Sequence, residues 1–196
     1  MMEWLKRFKI KRLHNQLKLL SVGRLNNTSS PAALKKEISL YYTLAKIYES
    51  MINKKKHPFA REQLMACYRA LASLDDAQAQ FIMGEKTLAE AKVRQELQDS
   101  GILASEANAA YVNKLFEDVH GFFLAAEKNK HVKAKRLRGL CYINGWGVPI
   151  NKDLGFDLLV ASIEEENAWN KVQKIFKELG INQASFFSEL FQHRKK

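Results

Sequence analysis

The stretch from Ala134 to Ile163, AKRLRGLCYINGWGVPINKDLGFDLLVASI, constrains the fold more than any other part of the chain. It reads as two short helices joined by a turn. Leu137, Leu140, Cys141 and Ile143 recur at helical spacing along the first. Gly145 and Gly147 stop that helix, because glycine enters the left-handed backbone region at little steric cost. Pro149 pushes the residue before it away from helix. Asn151 and Asp153 are side-chain caps for the second helix, which turns Phe156, Leu159 and Ile163 inward. Gly139 and Gly155 are small residues at which the two helices can approach closely.

Gly139, Tyr142, Gly145, Gly147 and Val148 stand in the register G-x-x-Y-x-x-G-x-G-V. This resembles the pattern of Sel1-like repeats, relatives of the tetratricopeptide repeat. Arg138 occupies a place where the family has leucine, and Gly155 one where it has alanine. Weaker echoes lie at residues 79–84 and 122–127. The resemblance implies an all-α chain: a short α–α superhelix, or solenoid, of degenerate helix pairs over residues 32–196, with the clearest repeat at 131–166. It also implies a non-enzymatic adaptor or scaffold whose partner is another protein. Many members are bacterial and some act in secretion or host interaction, so the resemblance extends to a part in such a system. Trp146 sits between the two turn glycines, where the pattern is variable. Its indole either folds back on the neighbouring repeat or meets a partner, and Trp146 is the residue expected to make partner contact.

Charge is unevenly spread within the net +11. Residues 1–60 carry 13 Lys/Arg against three Glu, whereas residues 61–196 carry 19 against 18 acids. The basic third needs a local explanation. Residues 1–24 read as a basic amphipathic helix, with Trp4, Leu5, Phe8, Leu13, Leu17 and Leu20 as one apolar stripe. No continuous apolar core and no small-residue cleavage site follow, so the segment is not read as a secretory signal. Three readings stand: a helix docked on the repeats, contact with an anionic membrane surface, or contact with an acidic protein or nucleic acid. Trp4, Lys6, Arg7, Phe8, Lys9, Lys11 and Arg12 would carry an acidic-surface or membrane contact. Nucleic acid is the weakest partner class, because no nucleic-acid motif accompanies the charge. The function carried beside the adaptor is therefore a peripheral membrane component held by this helix.

Further helices are expected over about 32–52, 59–74, 77–99 and 105–128, then from Trp169 to Leu179 and from Gln183 onward. Residues 53–58, NKKKHP, break the chain between the first two. Gly121 is read as a point of bending or tight crossing, and Asn182 as the cap of the last helix. Cys67 and Cys141 lie in apolar helical patterns and read as buried thiols in a reducing, cytoplasmic setting, peripheral to a membrane at most. No apolar run reaches the roughly 18–20 residues of a membrane span.

Chemistry leaves few marks. His14, His57, His120, His131 and His193 are scattered without metal-ligand spacing, so no metal is expected. No phosphate loop, dinucleotide fingerprint or nucleophile elbow occurs, and no cofactor or catalytic residue is assigned. Asp75-Asp76 and Glu164–Glu166 read as caps and solvated acids. Cys141 with His131 is the one nucleophile-and-base pairing to weigh, and a buried core thiol is the simpler reading.

Overall fold

The computed structural model describes residues 3–26, 28, 30–52 and 57–195, and the described residues form helices and turns without a strand. Asn27, Ser29 and the 54–56 lysine run lie outside the described residues. The chain divides into two compact units, residues 1–79 and 80–196.

The first unit holds α1 (Glu3–Leu25), α2 (Pro31–Glu49) and α3 (Ala60–Ser73). Ser30 starts α2: its Oγ accepts from the Ala33 N–H at 3.2 Å, and Pro31 takes the first helical position. Leu13 and Leu17 of α1 pack with Leu44, Ala45 and Tyr48 of α2 and with Leu64 and Cys67 of α3. Polar contacts add to this docking. Lys6 Nζ donates to Ser50 Oγ at 2.9 Å, His14 Nε2 lies 3.0 Å from the Tyr48 hydroxyl, and Arg24 Nε donates to the buried Glu37 at 3.4 Å.

The single stripe expected on α1 is divided. Leu13 and Leu17 are buried, whereas Trp4 and Phe8 are exposed. Nine residues are two and a half helical turns, so Trp4 and Leu13 point in opposite directions. Phe59, expected as the first residue of a helix, instead precedes α3 and is exposed.

The second helical series begins with α4 (Ala77–Asp99), where Asp76 Oδ1 accepts from the Ala79 N–H at 2.8 Å. It continues with α5 (Glu106–Lys128), α6 (Val132–Asn144), α7 (Lys152–Glu165), α8 (Val172–Glu178) and α9 (Ala184–Arg194). In the second unit one core joins Phe81, Val119, Phe123, Leu137, Leu140, Cys141, Phe156, Leu159, Ile163, Phe176 and Leu190. The expected helix from Trp169 is interrupted. Trp169–Lys171 forms a 3₁₀ turn before α8, following Asn167 at φ 49°. Gln183, not Asn182, stands at the start of α9, without a side-chain cap. Gly121 makes no crossing, since an added Cβ there would meet nothing within 4 Å. The tight crossing is at Gly84, where a Cβ would stand 2.5 Å from the Phe123 ring.

Candidate interaction surfaces

The α6–α7 turn is built residue by residue. Gly145 ends α6 in the left-handed region at φ 72°, and the Trp146 N–H donates to the Cys141 carbonyl at 2.9 Å. That long return bond satisfies a carbonyl the helix end leaves open. Gly147 is also left-handed at φ 70°, and a Cβ there would lie 2.2 Å from the Phe116 carbonyl oxygen. The turn thus presses against the backbone of α5. Val148 is packed against the core beside it. Asn151 then accepts from the Leu154 N–H at 3.0 Å and starts α7.

Gly139 and Gly155 bring α6 and α7 together. A Cβ on Gly139 would stand 2.7 Å from the Gly155 carbonyl oxygen, and one on Gly155 would stand 2.8 Å from that of Gly139. Only hydrogen fits on either side. Tyr142, half-buried, meets the His120 ring edge-on with centroids 5.4 Å apart. Trp146 is half-buried, with its ring stacked on Phe116 at 6.0 Å and 6°, and Lys92 Nζ sits 4.5 Å from its centroid. The indole therefore folds back onto α5, leaving part of its surface beside the Lys92 ammonium.

Ion pairs tie α6 to its two neighbours in the chain, α5 and the end of α7. Arg138 Nε lies 2.6 Å from Glu127, and Arg136, itself buried, pairs with Glu166, while Lys135 pairs with Glu165. Glu165 and Glu166, read from sequence as solvated acids, are thus partners of α6. Removing one partner of such a pair exposes the other to the desolvation cost.

On α1, Trp4, Arg7, Phe8, Lys9, Lys11 and Arg12 are exposed, with Lys9 turned away from Trp4 and Phe8, while Lys6 bonds Ser50. Arg7 and Lys11 also border a cleft of about 350 Å³ floored by Ile10, Tyr48, Met51 and Ala60, with Phe59 at its edge.

The histidine and cysteine side chains make capping, stacking and packing contacts. His131 Nδ1 accepts from the Ala134 N–H at 3.2 Å, capping α6, and its ring stacks on Phe81 at 4.2 Å. Burial pushes the Cys141 thiol up to about 12 and the Cys67 thiol up to about 11, away from the thiolate a nucleophile needs. His193 Nδ1 stands 2.8 Å from Asp157 Oδ1. Among the described residues, no group of three His, Cys, Asp or Glu side chains is arranged to hold a metal ion. No described helix is long and apolar enough to cross a membrane.

Sequence reasoning missed the burial of Glu37 and the Lys92 contact, and it took Gly84 as part of a weaker repeat echo, not as a helix crossing. A lone glutamate or lysine in a helical run carries no local mark of burial or stacking, and a helical glycine such as Gly84 does not announce which ring will cross it. No protein-family model matches the chain, and no curated protein matches it either.

Proposed function

We propose that the chain is a non-enzymatic scaffold of Sel1-like helix pairs that binds another protein. One observation carries the reading. The five positions of the resemblance fall on a tight helix pair whose turn is left-handed at both glycines and pressed on the preceding helix. A turn held this closely presents its variable residue from a fixed backbone, and preorganised residues lose little freedom on binding. Trp146 with Lys92 is the contact offered: a half-covered indole beside a cation. The cysteines support the same reading, because both are buried and neither is disposed to ionise. A place in a bacterial secretion or host-interaction system is what the resemblance adds.

The test is a crosslinked pull-down from the native cell with the full chain, Trp146→Phe, Trp146→Ala and Lys92→Glu. A partner kept by Trp146→Phe and lost with Lys92→Glu at unchanged melting temperature supports the scaffold. Recovery that is indifferent to both positions contradicts Trp146 and Lys92 as the contact. Turnover of a substrate by the purified chain contradicts the non-enzymatic reading.

A further inference from the structure

We propose that the outward face of α1 binds an anionic lipid bilayer while the helix stays docked on α2. The helix is apolar on two sides, and only one of them is used by the fold. Leu13 and Leu17 are 7% and 4% exposed on the docked side. Trp4, Phe8 and Leu19 are 59%, 63% and 76% exposed, and Val22 is exposed with them. At about 100° per residue, Trp4, Phe8, Leu19 and Val22 fall within roughly 60° of one another, and their middle lies roughly opposite Leu13 and Leu17. They form two apolar patches, Trp4 with Phe8 and Leu19 with Val22, along a line about 27 Å long at about 1.5 Å per residue, with the exposed Asn15 between them.

Cations border the stripe on both sides. Lys11 and Lys18 lie along one edge and Arg12 along the other, all exposed. Between Trp4 and Leu25 the sequence has no acid. Phe59 adds an exposed ring next to Arg7 and Lys11. Aromatic and aliphatic side chains on the axis of a helix, with Lys and Arg at its flanks, match a bilayer interface: rings enter the headgroup boundary while cations meet lipid phosphates. The charge complement selects anionic lipid over neutral lipid. The stripe is convex and runs along one helix, a shape that lies on a plane.

Docking fixes the depth. Lys6 on Ser50, His14 at Tyr48 and Arg24 on Glu37 hold α1 along its length, so the helix meets the surface sideways and does not insert end-on.

The test uses the full chain and vesicles of phosphatidylcholine with about one-third phosphatidylglycerol, at about 50 mM salt where electrostatic attraction is weakly screened. The protein should float with these vesicles and not with pure phosphatidylcholine, and its tryptophan emission should shift to the blue. Raising salt to about 500 mM should weaken binding at least tenfold. Trp4→Ala with Phe8→Ala should weaken it by a factor on the order of ten to a hundred without lowering the melting temperature. Lys11→Glu with Arg12→Glu should abolish flotation. Amide exchange across residues 44–48 should stay unchanged on vesicles. Absent flotation, flotation indifferent to these variants, or equal binding to neutral vesicles would overturn the proposal. Capture of an oligonucleotide or an acidic polypeptide with the same variant dependence, but of no vesicle, would overturn it also. Faster exchange at residues 44–48 would show α1 leaving α2 and would overturn the docked mode.

Discussion

Gly147→Ala tests the turn with a magnitude that can be worked from geometry. The backbone there is at φ 70°, and an alanine Cβ would lie 2.2 Å from the Phe116 oxygen, 2.4 Å from its carbonyl carbon and 2.5 Å from the Glu117 nitrogen. Left-handed backbone costs a Cβ-bearing residue about 1–2 kcal/mol. The overlap is with main chain inside α5, which cannot rotate away, so an overpacking cost of about 1–3 kcal/mol is added. The sum is about 2–5 kcal/mol. Taking about 3 kcal/mol, the melting temperature of a chain this size should fall by roughly 6–12 °C.

Gly180→Ala is the control. Its φ is 78°, but an added Cβ meets nothing within 4 Å, so only the backbone cost of about 1–2 kcal/mol remains. Both changes lower unfolded-chain entropy alike, and that contribution cancels between them. Gly145→Ala should fall between, because the Cβ meets Ile150 Cγ1 at 2.9 Å and that exposed side chain can turn aside. Far-UV circular dichroism during thermal and urea unfolding supplies the values. If Gly147→Ala and Gly180→Ala cost the same within error, the turn does not rest on α5 and the reasoning fails.

Three other outcomes are expected. Trp146→Ala should lower stability by about 2 kcal/mol, from a half-buried indole that loses its stack on Phe116; an unchanged melting temperature would place the ring in solvent. Burial, the larger cause, lowers the pKa of His131 and His120 from 6.5, so the folded state favours neutral imidazole. The stability gained from this is present above about pH 6.5 and is lost as pH falls below it toward the lower folded values. His131→Asn, which keeps a capping acceptor but cannot titrate, should flatten urea midpoints between about pH 7.5 and 5.5, and an unaltered slope would remove His131 from the account. Neither Cys141 nor Cys67 should react with a thiol reagent at about pH 8 until the chain unfolds, since both are buried with raised pKa; rapid labelling of native Cys141 would reopen a nucleophilic role.

What the sequence revealed depends on whether a residue leaves a local mark. Gly145, Gly147 and Asn151 do, because left-handed turns and helix caps restrict residue type at fixed offsets. Ser105, expected inside the helix over about 105–128, is its cap instead: its Oγ accepts from the Asn108 N–H at 3.1 Å and starts α5. Contacts made across the fold leave none. Arg136 and Glu166 are 30 positions apart, and nothing near either announces the pair. Glu37 reads as a solvated helix charge, yet it is buried under Arg24. On α1 the stripe was legible as apolar content but not as two faces, because Trp4 and Leu13 belong to one stripe only if the half-turn between them is ignored. Gly121 and Gly84 show the converse: both are glycines within helices, and only the partner helix decides which is a crossing.

The central claim is that α6 and α7 form one unit closed at Gly139 and Gly155 around a left-handed turn. The most direct measurement is a set of proton–proton Overhauser contacts in the labelled full chain. Gly139 Hα should show a cross-peak to the Leu159 Cδ2 methyl, whose carbon lies 3.1 Å from the position a Cβ would take, and Gly155 Hα to Ile143, whose Cγ1 lies at 2.6 Å by the same measure. Both cross-peaks, with shifts at Gly145 and Gly147 that report positive φ, are the result expected. Helices at 132–144 and 152–165 that lack these cross-peaks would contradict the helix pair and, with it, the scaffold function proposed from it.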